Sequence, residues 1–119
     1  MTDRPDRVGE EFREILAEEI PKLKDPRVGF VTVTGVHVTA DLRRAVVYYT
    51  VLGEERERKA TAAGLRSAAG HLRQVLGREV RLKFLPEVTF EEDETASRAD
   101  RVDQLLRRIK EEDGSQPGA

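Results

Sequence analysis

The feature that most constrains the fold is a pair of strand-like runs separated by a very short connection. "FVTVTGVHVT" (30–39) and "RRAVVYYTVL" (43–52) flank the hairpin-like "TADL". In the second run Ala45, Val47, Tyr49 and Val51 share one face, while Val46, Tyr48 and Thr50 share the other. The first run alternates with a slip. Val31 and Val33 have one parity, Val36 and Val38 the other, so a bulge at Gly35 is needed to return all four to one face. A hairpin with one apolar face must cover it, and the rest of the chain supplies helices for that purpose.

The first cover is Val8, Phe12, Ile15, Leu16, Ile20 and Leu23, an amphipathic stripe. Pro5 suits the first turn of that helix and Pro21 ends or bends it near Ile20. "GEERERKATAAGLRSAAGHLRQVLG" is the second helical region, with Leu65, Ala69, Leu72 and Leu76 in helical spacing and Gly77 expected as C-cap. "REVRLKFLPEVTFEE" reads as a third strand. Val80, Leu82, Phe84, Val88 and Phe90 share parity, and Pro86 marks an edge or a break. "RADRVDQLLRRIKEE" places Ala99, Val102, Leu105, Leu106 and Ile109 on a last helix, and "DGSQPGA" is a polar tail. The order predicts one α+β domain, a three-stranded mixed sheet with helices packed on one face. The third strand is expected beside the first and parallel to it, after a right-handed crossover.

Gly70 stands in mid-helix, where glycine costs about 1 kcal/mol relative to alanine. A straight, slightly weak helix fits the spacing. So does a kink, which would free amides at a new helix start and create an anion site among arginines. The chain as a whole is slightly acidic, −2 from 21 basic and 23 acidic residues. The distribution is uneven: residues 66–83 hold five basic residues against one acid, and 87–95 hold five acids and no base. Two solvated faces of a charge-rich protein explain that equally well.

No cysteine is present, which excludes disulfides and thiolate metal sites and favours a reducing compartment. No apolar run is long enough for a membrane span, and the opening residues carry no signal core, so a cytoplasmic protein is expected. His37 and His71 have no third ligand in suitable spacing, and "EEDE" reads as a solvated strand end rather than a Mg²⁺ site. No nucleophile elbow, Walker motif or dinucleotide fingerprint occurs. No metal, cofactor or enzymatic activity is expected.

"RPDRV" (4–8), "DPRVGFVTVTGVHVTADL" (25–42), "AAGHLRQVLGREVRLKFLPEVTFEED" (68–93) and "RVDQLL" (101–106) occur in the order seen in bacterial ribosome-binding factor A. The chain resembles that family over about residues 4 to 109. The resemblance implies a type II KH-like domain, α-β-β-α(kink)α-β-α, over 4–111, followed by a short disordered tail at 112–119. Ala68, Ala69 and Gly70 match the family's AxG kink, which stands where a KH domain has GxxG. The family implies a monomeric assembly factor that binds the 30S subunit or its precursor and assists 16S rRNA 5′-end maturation. It also implies importance in the cold and contact with ribosomal proteins or other assembly factors. By motif, Arg4, Arg7, Arg73, Arg78 and Arg81 would face RNA; Lys83 joins them by sharing the outward parity of Arg81, and Arg66 as part of the basic stretch 66–83. Arg27 reads more readily as structural, tying Asp25. The rival reading is a small α/β adaptor that binds protein through its acidic strand end or last helix.

Overall fold

The computed structural model describes residues 4–93. The expected last helix (Ala99–Ile109) and polar tail lie outside the described residues. Helix α1 spans Arg4–Glu19 and passes into a single 3₁₀ turn, Ile20–Lys22, at Pro21. Strands β1 (Val31–Val38) and β2 (Arg44–Val51) form the hairpin. Helix α2 (Glu55–Glu79) crosses over to β3 (Glu87–Glu92). Among the described residues this is the α+β class expected, three strands with α1 and α2 on one face.

That face is apolar because the hairpin alternates as anticipated. Ala45, Val47 and Tyr49 are buried on β2, and Val33 and Val38 on β1. Register shifts between Val33 and Gly35, so the extra residue is Thr34, one position from the predicted bulge. Val8, Phe12, Leu16 and Ile20 of α1 meet this surface together with Leu65, Leu72 and Leu76 of α2 and Val88 of β3. Gly9 lets α1 lie close to β1: a Cβ there would stand 2.6 Å from the Val36 carbonyl oxygen.

Four expectations are corrected. First, β3 pairs with β2, in parallel, giving the order β1-β2-β3, not with β1. A single helix joins β2 to β3 and sets the returning strand against the one it left. Second, β3 begins only at Glu87. Residues 80–86 are irregular, and Phe84, expected on the inward face, is 52% exposed. Parity survives in the sequence across Pro86, but the extended backbone that gives parity its meaning does not. Third, Gly77 is not a C-cap. The helix continues to Glu79, and the missing side chain at Gly77 makes room for Leu85, whose Cδ1 would be 2.9 Å from an added Cβ.

Fourth, α2 is one continuous helix through Ala68, Ala69 and Gly70. Leu65 before the glycine and Leu72, Val75 and Leu76 after it are all buried. That apolar stripe spans Gly70, and its burial outweighs a helix penalty of about 1 kcal/mol. Nothing lies within 4 Å of a Cβ built on Gly70, so no neighbour forces a break there.

Candidate nucleic-acid interface

The turn at residues 25–29 is fixed against the first half of α2. The Arg27 guanidinium holds both carboxylate oxygens of Asp25 and donates to the Ser67 hydroxyl at 3.1 Å. The arginine's hydrogen bonds draw the Asp25 carboxyl below the ordinary carboxylate range, and Asp25 in turn raises Arg27. Nearer the start of the helix, buried Thr61 accepts from the Gly29 amide at 3.0 Å and donates to the Arg27 carbonyl at 3.3 Å. Gly64 supplies the clearance: a Cβ there would come 2.6 Å from Val28 Cγ2. Arg27 is therefore a structural residue, as its motif suggested.

The acidic strand end is engaged as well. Arg58 donates to Glu92 at 2.8 Å, and Thr34, the bulged residue, donates to Asp93 at 2.8 Å. Burial, and then the Glu92 carboxylate, push the Tyr49 phenol up, which keeps it neutral inside the core.

The second half of α2 and the 80–86 segment are different. Arg73 donates to the Pro86 and Leu85 carbonyls, each at 2.9 Å. It braces the irregular segment against the helix, which limits its guanidinium as a phosphate partner. Arg78 lines a cleft of about 490 Å³ with Gln74, Gly77, Val80, Leu82 and Leu85. Leu82 also lines a neighbouring cleft, where Arg4 and Lys83 come together although 79 positions separate them in sequence. Arg7 and Arg81 are exposed. Arg66 stands apart, in a cleft between α2 and β3 with Tyr49, Ala69 and Phe90. The structure thus brings Arg4, Arg78 and Lys83 to one connected surface, turns Arg73 inward to the backbone, and places Arg66 elsewhere. No helix start at Gly70 supplies amides to this surface.

Sequence reasoning missed Arg43 and Phe84. Arg43 follows a tightly built hairpin turn. Asp41 accepts from the Thr39 hydroxyl at 2.7 Å and from the Arg43 amide at 3.1 Å, and these bonds, the hydroxyl's first, lower its pKa. Leu42 is held at φ 60°, a left-handed conformation that costs a non-glycine residue about 1 kcal/mol or more. The turn sets the Arg43 guanidinium carbon 4.8 Å from the Phe84 ring centroid, and the Lys83 ammonium stands 5.6 Å from it. The early signals were "TADL" as a hairpin connection and Pro86 as an edge or strand break; neither places the two side chains together.

Among the described residues, Arg4, Arg7, Arg43, Arg66, Arg78, Arg81 and Lys83 have no ion pair with a carboxylate, nor do Lys24, Arg44, Arg56 and Arg73, whereas Arg13, Lys22, Arg27, Arg58 and Lys59 do. Arg4 and Arg7 also sit at the positive end of the α1 dipole, where cations are disfavoured and an anion is welcome. Also among the described residues, no group of three or more acidic or histidine side chains could hold a metal ion, and no helix is long and apolar enough to cross a membrane.

Comparison with known proteins identifies the family. The family profile described as "Ribosome-binding factor A" matches residues 4–106. A Geobacter sulfurreducens protein named ribosome-binding factor A is 47% identical over 116 residues, covering 97% of this chain and 98% of the relative. The crystal structure of ribosome-binding factor A from Thermus thermophilus superposes with a TM-score of 0.67 at 30% identity, over 76% of this chain and 97% of that one. A homology model of the Thermus thermophilus factor, fitted into the cryo-electron microscopy map of its complex with the 30S subunit, gives a TM-score of 0.62 at 31% identity. It covers 73% of this chain and 92% of that one.

Proposed function

The chain belongs to the ribosome-binding factor A family, and we propose that it binds the small (30S) ribosomal subunit or its precursor through Arg4, Arg78 and Lys83 of the two adjoining clefts, with exposed Arg81. The observation that carries this reading is electrostatic. A chain of net charge −2 keeps the cations of this surface free of carboxylate partners among the described residues, while its acids at the β3 end bond to Arg58 and Thr34. Unpaired cations around a shallow, shaped surface suit phosphates of structured RNA better than a base sequence. The likeness to a factor seen on a 30S particle supports the same partner. Within that reading the protein works as a monomer in the cytoplasm, contacts ribosomal proteins or other assembly factors, assists 16S rRNA 5′-end maturation, and matters most for growth in the cold.

Phosphate-driven binding releases counterions, so affinity falls steeply with salt. Co-sedimentation with purified 30S subunits at low and high ionic strength tests this. Strong binding that collapses as salt rises is expected. Absent binding, or a salt-independent affinity, points instead to an adaptor for protein partners.

A further inference from the structure

Phe84 is large, apolar and half exposed, and it belongs to neither the core nor a strand. Its surroundings are ordered by three separate elements. The hairpin turn delivers Arg43 over the ring, the 80–86 segment delivers Lys83, and the first residue of α1 delivers Arg4. Together with Asp41, Leu42 and Leu82 they line a cleft of about 220 Å³. That is below the roughly 300–1,000 Å³ usual for drug-sized ligands, so it suits one ring and not a larger ligand.

The charges in the cleft are three cations against one carboxylate. That carboxylate, Asp41, is turned to the Thr39 hydroxyl and the Arg43 amide. Neither Arg4, Arg43 nor Lys83 forms an ion pair with it or with any other described residue. A duplex offers phosphates but hides its base faces. An acidic peptide satisfies the cations but leaves the ring in water. An unpaired nucleotide supplies both a phosphate and a π face, and aromatic side chains flanked by cations are the usual platform for it.

We propose that the Arg4–Arg43–Lys83–Phe84 cleft seats one unpaired nucleotide of RNA, its base against Phe84 and the Arg43 guanidinium and its phosphate on Lys83 and Arg4. The inference rests on the reading that the chain binds ribosomal RNA, and it adds a specific preference for unstacked bases. Leu82 joins this cleft to the one containing Arg78, so the neighbouring backbone has a charged path to follow.

The test uses the full chain with a short fluorescent single-stranded RNA of mixed sequence, the same sequence as a duplex, and purified 30S subunits. At matched salt the single strand is expected to bind more tightly than the duplex. Phe84→Leu should weaken single-strand binding about tenfold with its salt dependence unchanged, Phe84→Trp should restore it, and Lys83→Gln should lower the salt slope by about 0.7. Circular-dichroism melting confirms that each variant is folded. Equal binding of duplex and single strand, or wild-type binding by Phe84→Leu, overturns the cleft assignment. If 30S binding stays strong and salt-dependent in that case, the cleft alone falls. If the wild-type chain does not bind 30S subunits at all, the underlying reading falls and takes the cleft with it.

Discussion

Gly64 and Gly70, two of the three glycines inside α2, are six residues apart and look alike in the sequence, yet they sit in opposite surroundings. Around Gly64 the molecule is closed: the 25–29 turn lies against the helix, and Thr61, Ser67 and the Asp25–Arg27 pair hold it there. Around Gly70 and onward to Phe84 it is open, with no neighbour near the glycine and with exposed cations lacking acidic partners among the described residues. One half of the helix uses its polar groups to build the fold. The other commits Arg73 to the Leu85 and Pro86 carbonyls and leaves Arg78 without an acidic partner among the described residues. A glycine in a helix therefore marks close approach only when something approaches, and a charge marks a binding surface only when nothing inside the protein neutralises it.

The largest effect expected is on the open half. Replacing Arg78, Arg81 and Lys83 together by Glu should weaken 30S binding by about two orders of magnitude and flatten its salt dependence. The thermal midpoint should hardly move, because none of the three supports the core. Filtration binding across a salt series measures both the affinity and its slope. An unchanged affinity would break the contrast between the two halves.

Next is the closed half. Gly64→Ala drives a methyl to 2.6 Å from Val28 Cγ2, with the Val28 amide nitrogen also close. Overpacking of this kind costs about 1–3 kcal/mol, and the better helix propensity of alanine returns up to about 1 kcal/mol. A net loss of about 1–2 kcal/mol in urea unfolding is expected. A stabilised variant would show that the turn yields freely and that the closed half is not tightly packed.

Gly70→Ala should do the reverse, adding up to about 1 kcal/mol, since its new side chain meets nothing. The same urea titration reads it. A simultaneous loss of 30S affinity greater than about tenfold would return Gly70 to the interface as a site of close backbone approach.

The smallest effect is in acid. The Asp25 carboxyl has its pKa depressed by Arg27, so the folded state binds its proton less readily than the unfolded chain. Its contribution is fully present above the ordinary carboxylate pKa and is lost as pH falls through the depressed value. Asp25→Asn should therefore remove a small part of the acid dependence of stability below about pH 4 and leave the neutral region's slope unchanged. The pair lies at the surface, open to solvent screening, so the change is slight.

Much of the fold was legible because periodicity is a local property. The α1 stripe from Val8 to Ile20 and the alternation along β2 predicted their buried faces, and the Val33-to-Val36 slip located the bulge to within one residue. The misreadings share a physical cause, since each depended on what stands across space. Parity from Val80 to Phe84 cannot report that the backbone is no longer extended. The placement of β3 beside β2 depends on where the crossover helix lands. A count of arginines cannot separate Arg73, bound to the Leu85 and Pro86 carbonyls, from Arg78, which is free of acids among the described residues. The recognised motif led to Gly70, while the glycines of α2 that packing requires are Gly64 and Gly77. Arg43 and Phe84 escaped notice because they are 41 residues apart and meet only through the folded hairpin turn.

The central claim is that the open half of α2, with the segment that follows it, faces ribosomal RNA while the closed half does not. Lysine-selective labelling of the intact chain, free and bound to 30S subunits, tests this most directly. Lys83 stands on the open side, and Lys59, exposed and paired with Glu55, on the first half of the helix. The account predicts that Lys83 is protected in the complex and that Lys59 reacts as it does in the free protein. Protection of Lys59 with Lys83 still reactive would contradict it.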